Sequence, residues 1–452
     1  MSGADATAAM LDDVADAITP TPSTVAAMED AVDELTDAVA AAATDCGVDV
    51  EVIRVGSTAR GTWLADARDI DLFIAFDPAV PRAELASVGQ QIGLAVLPDG
   101  ETEHAEHPYV HGTHAGFEVD LVPCYAVDDA TALQSAVDRT PFHTAYLTER
   151  LTDADRRAVR LTKQFMRAVG VYGSDLRTQG FSGFLVELLV LHYGGFLPLI
   201  EAVTAWRPPV RLDPESHGRA RFDDPLVVID PTDPERNVAA VVSDAAIARL
   251  QHHARGFQAD PTPAAFDPPT PQVPPQAELT AALEQRQTAI AAVCFPRPDV
   301  VDDILYPQLR KAADGITAAL ADAGFAPVRT THAVTDEVVL IIECAHAEIP
   351  AIERHLGPPV AVAEHAASFL ERYAADPAVT GPFIEGDRYV VERPRAHTEL
   401  GAFLCAPAMA ERSLGRHIEH VISERQVYIV NSDPKLIKKF SYALAQHVNP
   451  LT

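Results

Sequence analysis

The sequence predicts an α+β protein of several domains, and three observations support this. Its 452 residues are enough for two to four domains, each with a core of its own. Near the N-terminus the apolar pattern gives the order helix, strand, helix, strand, strand, which is typical of an α+β arrangement with a small sheet. A mainly helical segment follows, and the rest of the chain mixes strand and helix patterns.

The first elements follow from local periodicity. Apolar residues recur at helical spacing within 25–47, and Gly47 lies where that helix would end. Residues 48–55 alternate between apolar and polar like a strand and lead into the pair Gly56 and Ser57. Two further strand patterns follow, at residues 69–76 and 117–125.

A helical segment is predicted next. It opens with a capping box between Thr152 and Asp155. Residues 181–194 are apolar on most sides, which predicts a buried helix. Residues 261–275 are rich in proline without periodicity, so we interpret them as a linker or an extended crossing.

The remainder mixes strand patterns at 288–295 and 337–344 with a helix pattern at 306–323. We therefore expect three domains, covering residues 1–146, 147–259 and 260–452.

Charge is strongly unbalanced, with 65 acidic residues against 35 Lys and Arg and a net charge of −30. Such a surface speaks against nucleic-acid binding, which depends on basic residues and counterion release. It also suits a protein that works in very high salt, where the Debye length falls to about 3 Å. In such salt a broad basic patch would add little to the affinity for RNA. The negative net charge therefore weakens the case for an RNA partner without excluding one.

Cysteine spacing and hydropathy exclude other classes. The five cysteines form no CxxC pair, which argues against a zinc site or a disulfide framework. No stretch approaches the roughly 20 apolar residues of a membrane span, and the N-terminus lacks the pattern of a secretory signal. We expect a cytoplasmic protein with reduced thiols and no membrane partner.

The strongest chemical signal is the segment 56–73, GSTARGTWLADARDIDLF. Alternate strand residues point to one face, so Asp69 and Asp71 lie side by side while Ile70 turns into the core. Two such carboxylates repel each other unless a cation or proton lies between them, and hard oxygen ligands at this spacing suit Mg²⁺. Asp120, on the third strand, is the natural third ligand for a second ion.

Gly56, Ser57 and Arg60 supply the other half of the predicted site. A glycine at a strand end lets the backbone approach a phosphate, and the N–H groups that open the next helix point at an anion. Ser57 can donate a further hydrogen bond, and Arg60 can bring its guanidinium to the same phosphates. A Gly-Ser pair alone is usually a turn. Here it lies between a strand and a helix and is followed by two strands that carry acids, and this order is much more specific for a phosphate and metal site than the pair alone.

Together these motifs resemble the polymerase-beta-like nucleotidyltransferases, and more closely the archaeal, class I CCA-adding enzymes. The resemblance continues in order through residues 105–110, 135–143, 171–175, 180–189, 230–240 and 304–312. It implies a polymerase-beta-like head with a small mixed sheet, a helical central domain that binds nucleotide, and an α/β tail with an RNA-recognition-like sheet that grips tRNA.

The resemblance implies template-independent addition of CCA to the 3′ end of tRNA from CTP and ATP, by two-metal nucleotidyl transfer with Mg²⁺. The catalytic metal ligands would be Asp69, Asp71 and Asp120. The nucleotide would be held by Gly56, Ser57, Arg60, His143, Lys163, Tyr172 and Arg236.

Residue types alone leave alternatives open. Lys163 could form a surface salt bridge, Tyr172 could pack in the core, and Arg236 could belong to a proline-bounded capping turn. In the tail, Arg393 and Arg395 are candidates for tRNA phosphates, although they could instead pair with nearby acids.

Three larger questions also stay open. The four histidines between 104 and 114 have metal-like spacing, but no cysteine or clear helix fixes them, so we expect no metal there. A poly(A) polymerase or another RNA nucleotidyltransferase of the same superfamily is the nearest rival, and a non-catalytic RNA-binding protein is a rival of another class. Whether the chain pairs as a homodimer stays open.

Overall fold

The computed structural model describes residues 3–104, 107–130, 132–268, 273–407, 414–431 and 433–450. The chain divides into two units, Met1–Pro269 and Thr270–Thr452. The expected division into three domains stays a prediction.

The N-terminal unit begins with a mixed sheet and the helices that pack on it. Its elements are α1 Gly3–Ile18, α2 Pro22–Asp45, β1 Val50–Val55, α3 Gly56–Arg60, β2 Asp69–Phe76, α4 Arg82–Val96, β3 Glu101–His104, β4 Pro108–His114 and β5 Phe117–Tyr125. The strand order is β1-β2-β5-β4-β3, and β2 and β5 run parallel while the other neighbours are antiparallel. The predicted small mixed sheet is confirmed.

The sheet is covered because its strands and helices carry matching apolar faces. Ile70, Leu72 and Ile74 alternate along β2 and are all buried. Helix α2 packs against them with residues at helical spacing, among them Met28 and Leu35. The opposite residues of β2 therefore project away from this core, which is where the acids lie.

The second half of this unit is mainly helical, as predicted. Its elements are α5 Thr140–Arg150, α6 Asp153–Ala168, α7 Gly183–Tyr193, α8 Phe196–Ala205, β6 Val210–Leu212, β7 Leu226–Asp230, β8 Asp233–Asn237 and α9 Asp244–Ala259, with 3-10 turns at Val137–Arg139 and Pro263–Phe266. Thr152 and Asp155 form the predicted capping box at the start of α6. A three-stranded sheet, β6-β7-β8, was not predicted.

The proline-rich segment is also more ordered than predicted. Phe266 is buried and its ring packs between those of Phe165, Phe196 and Phe257, with ring centres 5.6–5.8 Å apart. The interpretation of 261–275 as a linker is therefore wrong for its first half, because an aromatic residue fills a gap between three helices.

The C-terminal unit holds two antiparallel sheets. Its elements are α10 Gln276–Arg286, β9 Ala289–Pro296, α11 Asp302–Ala323, β10 Pro327–Val334, β11 Glu337–Cys344, β12 Ile352–Pro359, α12 Ala363–Tyr373, β13 Thr380–Glu385, β14 Arg388–Pro394, α13 Leu400–Cys405, α14 Arg416–Val421, β15 Gln426–Ile429, α15 Pro434–Lys439 and α16 Ser441–Val448, with a 3-10 turn at Ile422–Glu424. The strand orders are β10-β11-β9-β15 and β12-β14-β13. The tail thus combines sheets and helices, as expected.

Within the described part of the chain, no single helix has the length and apolarity needed to cross a membrane. Helices α7 and α8 meet that test only as a pair, across a bend of 93°.

Candidate active site

Three carboxylates lie on two neighbouring strands of the N-terminal sheet. Asp69 and Asp71 are on β2, and Asp71 lies directly opposite Asp120 of β5 in the parallel pairing. Ile70, between the two acids, is buried in the core. Because alternate residues share a face, Asp69, Asp71 and Asp120 project from the same side of the sheet, as the sequence predicts.

The environment of these acids disfavours their charged forms. Burial raises the pKa of Asp71 to about 6, and the nearby charges of Asp120 and Asp69 act in the same direction. Burial also raises the pKa of Asp69 and of Asp120, and the mutual repulsion of the acids adds to the shift at Asp69. The cluster is therefore short of positive charge. No three His, Cys, Asp or Glu side chains among the described residues already stand in an arrangement that could hold a metal ion.

Sequence analysis missed the direct partner of Asp120. His111 lies opposite Asp120 in the β4–β5 pairing, and its Nδ1 is 2.8 Å from Asp120 Oδ1. Its Nε2 is 3.3 Å from Glu118 Oε2. The hydrogen bond to Asp120 raises the pKa of His111. The cross-strand register, which the sequence does not state, is what joins these residues.

His107 and His114, the other histidines of this segment whose side chains the structure describes, do not converge on a shared centre. His114 contacts Glu34 at 2.9 Å, whereas His107 is buried with its ring edge-on to Tyr125. The side chain of His104 lies outside the described residues.

Gly56 is required by the position of Asp71. It follows β1, and Val55 at the end of β1 lies opposite Asp71. A Cβ atom on Gly56 would lie only 1.9 Å from Asp71 Oδ2, and its φ of +75° is in the left-handed region that favours glycine. Ser57 follows in α3, so Gly56 brings the start of that helix directly against a carboxylate.

Arg60 and Lys163 meet at a buried glutamate. Arg60 binds Glu187 Oε2 through Nε at 2.9 Å and through Nη2 at 2.8 Å. Lys163 Nζ lies 3.1 Å from the Thr62 carbonyl, 3.2 Å from the Thr62 hydroxyl and 3.4 Å from Glu187 Oε1. The Thr62 hydroxyl also donates to Glu187. Lys163 is 2% exposed, so its alternative as a surface salt bridge is wrong.

Glu187 is the functional candidate that sequence analysis missed in this cluster. Burial acts to raise the pKa of Glu187, but the charges of Lys163 and Arg60 outweigh it and lower that pKa. Its sequence signal was present: α7 is apolar before His192 in its last turn, apart from this glutamate, and a fully buried carboxylate needs cationic or hydrogen-bonding partners.

Tyr172 lies beside the same cluster. It forms a backbone bridge with Phe181, and a Cβ atom on Gly183 would lie 3.2 Å from its hydroxyl and 3.7 Å from Lys163 Nζ. Burial raises the pKa of Tyr172 to about 12, and the charge of Glu187 contributes. Tyr172 also packs against the hydrophobic core of this unit, which was its alternative interpretation, and its role toward the nucleotide stays a prediction.

One face of α6 holds the loop that joins α3 to β2. The cations of this face stand at helical spacing, at Arg156, Arg160, Lys163 and Arg167. Their acceptors follow in chain order, namely the carbonyls of Arg60, Gly61 and Thr62 at 2.9, 2.6 and 3.1 Å and the carboxylate of Asp66 at 2.8 and 2.9 Å. We call this set the α6 cation row. It fixes the chain between the Gly-Ser turn and the acidic strand.

His143 and Arg236 belong to a different cluster. Both bind Asp230 Oδ2, His143 through Nε2 at 2.8 Å and Arg236 through Nη1 at 2.7 Å. The ring of His143 stacks on Phe184 with ring centres 3.8 Å apart. Lys163 and His143 thus each contact a different carboxylate, Glu187 and Asp230.

The two tail arginines both pair with one acid in the C-terminal unit. Arg393 Nε lies 2.7 Å from Glu353 Oε1, and Arg395 Nη1 lies 3.1 Å from Glu353 Oε2. Arg393 also donates to the hydroxyl of Tyr373 at 2.9 Å, and Arg395 to the carbonyl of Ala323 at 2.6 Å. Their role toward RNA stays a prediction.

Three family models match successive parts of the chain. Residues 34–143 match the model of a nucleotidyltransferase domain, residues 157–267 that of the second domain of tRNA nucleotidyltransferase, and residues 286–432 that of the C-terminal domain of CCA-adding enzymes.

Curated relatives are similar over almost the whole length. A CCA-adding enzyme from Haloarcula marismortui is 50% identical over 95% of this chain and 96% of its own. One from Halobacterium salinarum is 49% identical over 98% and 99%, and one from Methanosarcina barkeri is 39% identical over 91% of both chains. The acid-rich composition fits the relatives from Haloarcula and Halobacterium.

Among solved structures, a cytoplasmic RNA terminal U-transferase aligns with 59% of this chain and 99% of its own, at 13% identity and a TM-score of 0.45, which is too low to add to these matches. The relatives and the family models agree with each other and with the resemblance found in the sequence. The chain belongs to the archaeal CCA-adding enzymes.

Proposed function

We propose that this CCA-adding enzyme adds C, C and A in turn to the 3′ end of tRNA, from CTP and ATP and without a template. We further propose that Asp69, Asp71 and Asp120 hold two Mg²⁺ ions for the reaction. The observation that carries the second proposal is the placement of three carboxylates on one face of two paired strands, with a raised pKa at each.

The donor set fits divalent cations. Three carboxylates that repel each other and resist ionisation would regain their charged forms when cations lie between them. Hard oxygen ligands are those that Mg²⁺ prefers, together with substrate phosphates. Bound Mg²⁺ would lower the pKa of the attacking hydroxyl and neutralise charge on the leaving oxygens.

Asp120 would serve the side of the site at which the tRNA 3′-hydroxyl attacks the α-phosphate. The hydrogen bond from His111 restrains one carboxylate oxygen and leaves the other for the reaction.

The triphosphate would lie against Gly56, Ser57, Arg60 and Lys163. Gly56 lets the backbone come close, and Ser57 can donate a hydrogen bond. Arg60 and Lys163 share a single carboxylate, Glu187, and burial lowers the pKa of Lys163. The guanidinium of Arg60 therefore supplies the permanent positive charge of this cluster, which suits an anion beside the acids.

The remaining nucleotide contacts would come from Tyr172, His143 and Arg236. With no template strand, the choice of base depends on hydrogen bonds from protein side chains and from the growing RNA end. A wrong base leaves a buried donor or acceptor unpaired, which is costly.

The tail, residues 260–452 in the expected division, would hold the tRNA, with Arg393 and Arg395 at its phosphates. RNA duplexes are recognised mainly by shape and backbone contact, so a few placed arginines suffice on an acidic surface. We also propose that the enzyme works in the cytoplasm and at high salt.

The decisive experiment uses a tRNA transcript that lacks CCA. It is incubated with the protein, Mg²⁺ and one labelled nucleotide at a time, at low and at multimolar salt. We expect CMP incorporation on this transcript and AMP incorporation only on a transcript that ends in CC. Repeated addition of AMP to either transcript would instead favour a poly(A) polymerase, and absence of incorporation by every nucleotide would favour a non-catalytic RNA-binding protein.

A further inference from the structure

Asp230 ends β7 and is fully buried, and its two carboxylate oxygens have different partners. Oδ1 accepts hydrogen bonds from Thr232, from the backbone N–H at 2.9 Å and from the hydroxyl at 2.8 Å. Oδ2 accepts from His143 and Arg236. Because Thr232 fixes one oxygen, the carboxylate cannot rotate freely, and the other oxygen stays between the imidazole and the guanidinium.

The buried carboxylate is charged. Burial acts to raise the pKa of Asp230, but the hydrogen bonds from His143, Thr232 and Arg236 outweigh it and hold that pKa well below its usual range. Burial also lowers the pKa of His143, so its ring is neutral near pH 7 and donates through Nε2. An ionised carboxylate out of water needs such partners, and it anchors Arg236 in return.

Arg236 connects this buried acid to an open cavity. The cavity has a volume of about 640 Å³, and Arg139, Ser182 and Asn237 line it together with Arg236. The Arg236 side chain is 37% exposed and gives one N–H to Asp230. A guanidinium has five N–H donors in a fixed plane, so the bond to Asp230 sets the direction of the others.

We propose that Asp230 is a positioning residue that fixes Arg236 and His143 for the nucleotide and thereby sets the choice between CTP and ATP. This inference rests on the proposed function, which assigns Arg236 and His143 to the nucleotide. A donor held in one direction discriminates between bases better than a mobile one, because a mismatched base then leaves it unpaired.

A double-mutant cycle tests the coupling. KM and kcat for CTP and ATP are measured for Asp230→Asn, Arg236→Ala and the double variant, on transcripts that lack CCA or end in CC. We expect Asp230→Asn to raise KM and to reduce discrimination between CTP and ATP by about tenfold each, and we expect the double variant to lose less than the two single losses combined, because part of the effect of Asp230 passes through Arg236. Losses that add, or a KM and discrimination equal to those of the wild type, would overturn the proposal.

The C-terminal unit offers a matched control. Glu343 is also fully buried, and it binds Arg286 at 2.6 and 2.7 Å, the Thr288 hydroxyl at 2.6 Å and His447 at 3.1 Å. Glu343→Gln should lower thermal stability while leaving the KM for nucleotide and the CTP/ATP choice unchanged. If it alters them as Asp230→Asn does, the effect is one of general destabilisation and the proposal fails.

Thr232→Val gives a milder variant in case Asp230→Asn does not fold. It removes one hydrogen bond to Oδ1 and keeps the carboxylate, so discrimination should change in the same direction by a smaller factor. An unchanged discrimination in this folded variant would contradict the proposal. Failure of the proposed function would look different, since the wild type itself would then not extend the transcripts.

Discussion

Replacing Glu187 with glutamine should destabilise the N-terminal unit strongly. The carboxylate is 0% exposed, and it faces Arg60 and Lys163, which are 7% and 2% exposed. A glutamine keeps the shape but turns an amide N–H₂ group toward cations or toward the Thr62 hydroxyl. Removing one partner of a buried ion pair costs about 3–5 kcal/mol. At roughly 2–4 °C per kcal/mol for a unit of this size, the melting temperature should fall by about 6–20 °C.

The assay is thermal and urea unfolding of the full chain, followed by circular dichroism at neutral pH. Glu201→Gln on α8 is the matched control, because Glu201 is exposed and its loss should change stability by no more than about 0.5 kcal/mol. Adding Lys163→Met to Glu187→Gln removes one unbalanced cation and should recover part of the loss. The effect should persist in multimolar salt, since buried charges are screened little.

The pH dependence has a definite sign. The pKa of Glu187 is lower in the folded protein than its ordinary value. Its stabilising contribution is therefore complete above the ordinary pKa and is lost as pH falls through the folded pKa. The difference between the wild type and Glu187→Gln should shrink in acid. A difference below about 1 kcal/mol at neutral pH, or one that disappears in multimolar salt, would refute the reasoning.

Three further predictions concern the acids, the turn and the tail. Gly56→Ala should lower kcat at least about 100-fold while circular dichroism shows a folded chain, because the new Cβ atom displaces the Asp71 carboxylate; near-normal turnover would show that Asp71 need not stay there. Asp71→Asn should abolish addition and, without metal, hold or raise thermal stability, since it relieves repulsion. More than a few per cent of residual nucleotide addition by Asp71→Asn would refute the metal assignment. Because the folded pKa of Asp71 is raised to about 6, the metal-free wild type should gain stability as pH falls from about 7 to about 4, and Asp71→Asn should reduce that gain. Combined Arg393→Ala and Arg395→Ala should weaken tRNA binding and flatten its salt dependence without altering pyrophosphate exchange on CTP. Glu353→Gln should have the opposite effect on affinity, because it frees both arginines; an unchanged affinity in both variants would place the RNA contact elsewhere.

Local patterns predicted the regular elements well. Strand β11 has the predicted bounds, and the alternation of Asp69, Ile70 and Asp71 along β2 gave the right faces. These features depend only on the two-residue period of a strand. The pairing of Asp71 with Asp120 depends on a parallel register, which a single sequence does not encode locally.

Features that depend on distant partners were missed. Glu187 stood out in an apolar helix, but its cations come from residues 24 and 127 positions away. Phe266 lay in a segment where prolines suggested a linker, although its neighbours are three aromatic residues of α6, α8 and α9. The three-stranded sheet β6-β7-β8 was missed because its strands are only three to five residues long.

The α6 cation row has a consequence for how the N-terminal unit opens. The chain from Gly61 to Arg68 contains no helix or strand, and such loops usually exchange their amide hydrogens through small local openings. Here four side chains of α6 bind Arg60, Gly61, Thr62 and Asp66, so the loop cannot move away without breaking contacts to a buried helix. The loop and α6 should therefore open as one cooperative unit. The amide hydrogens of the loop, although it contains no helix or strand, should then exchange about as slowly as those of α6.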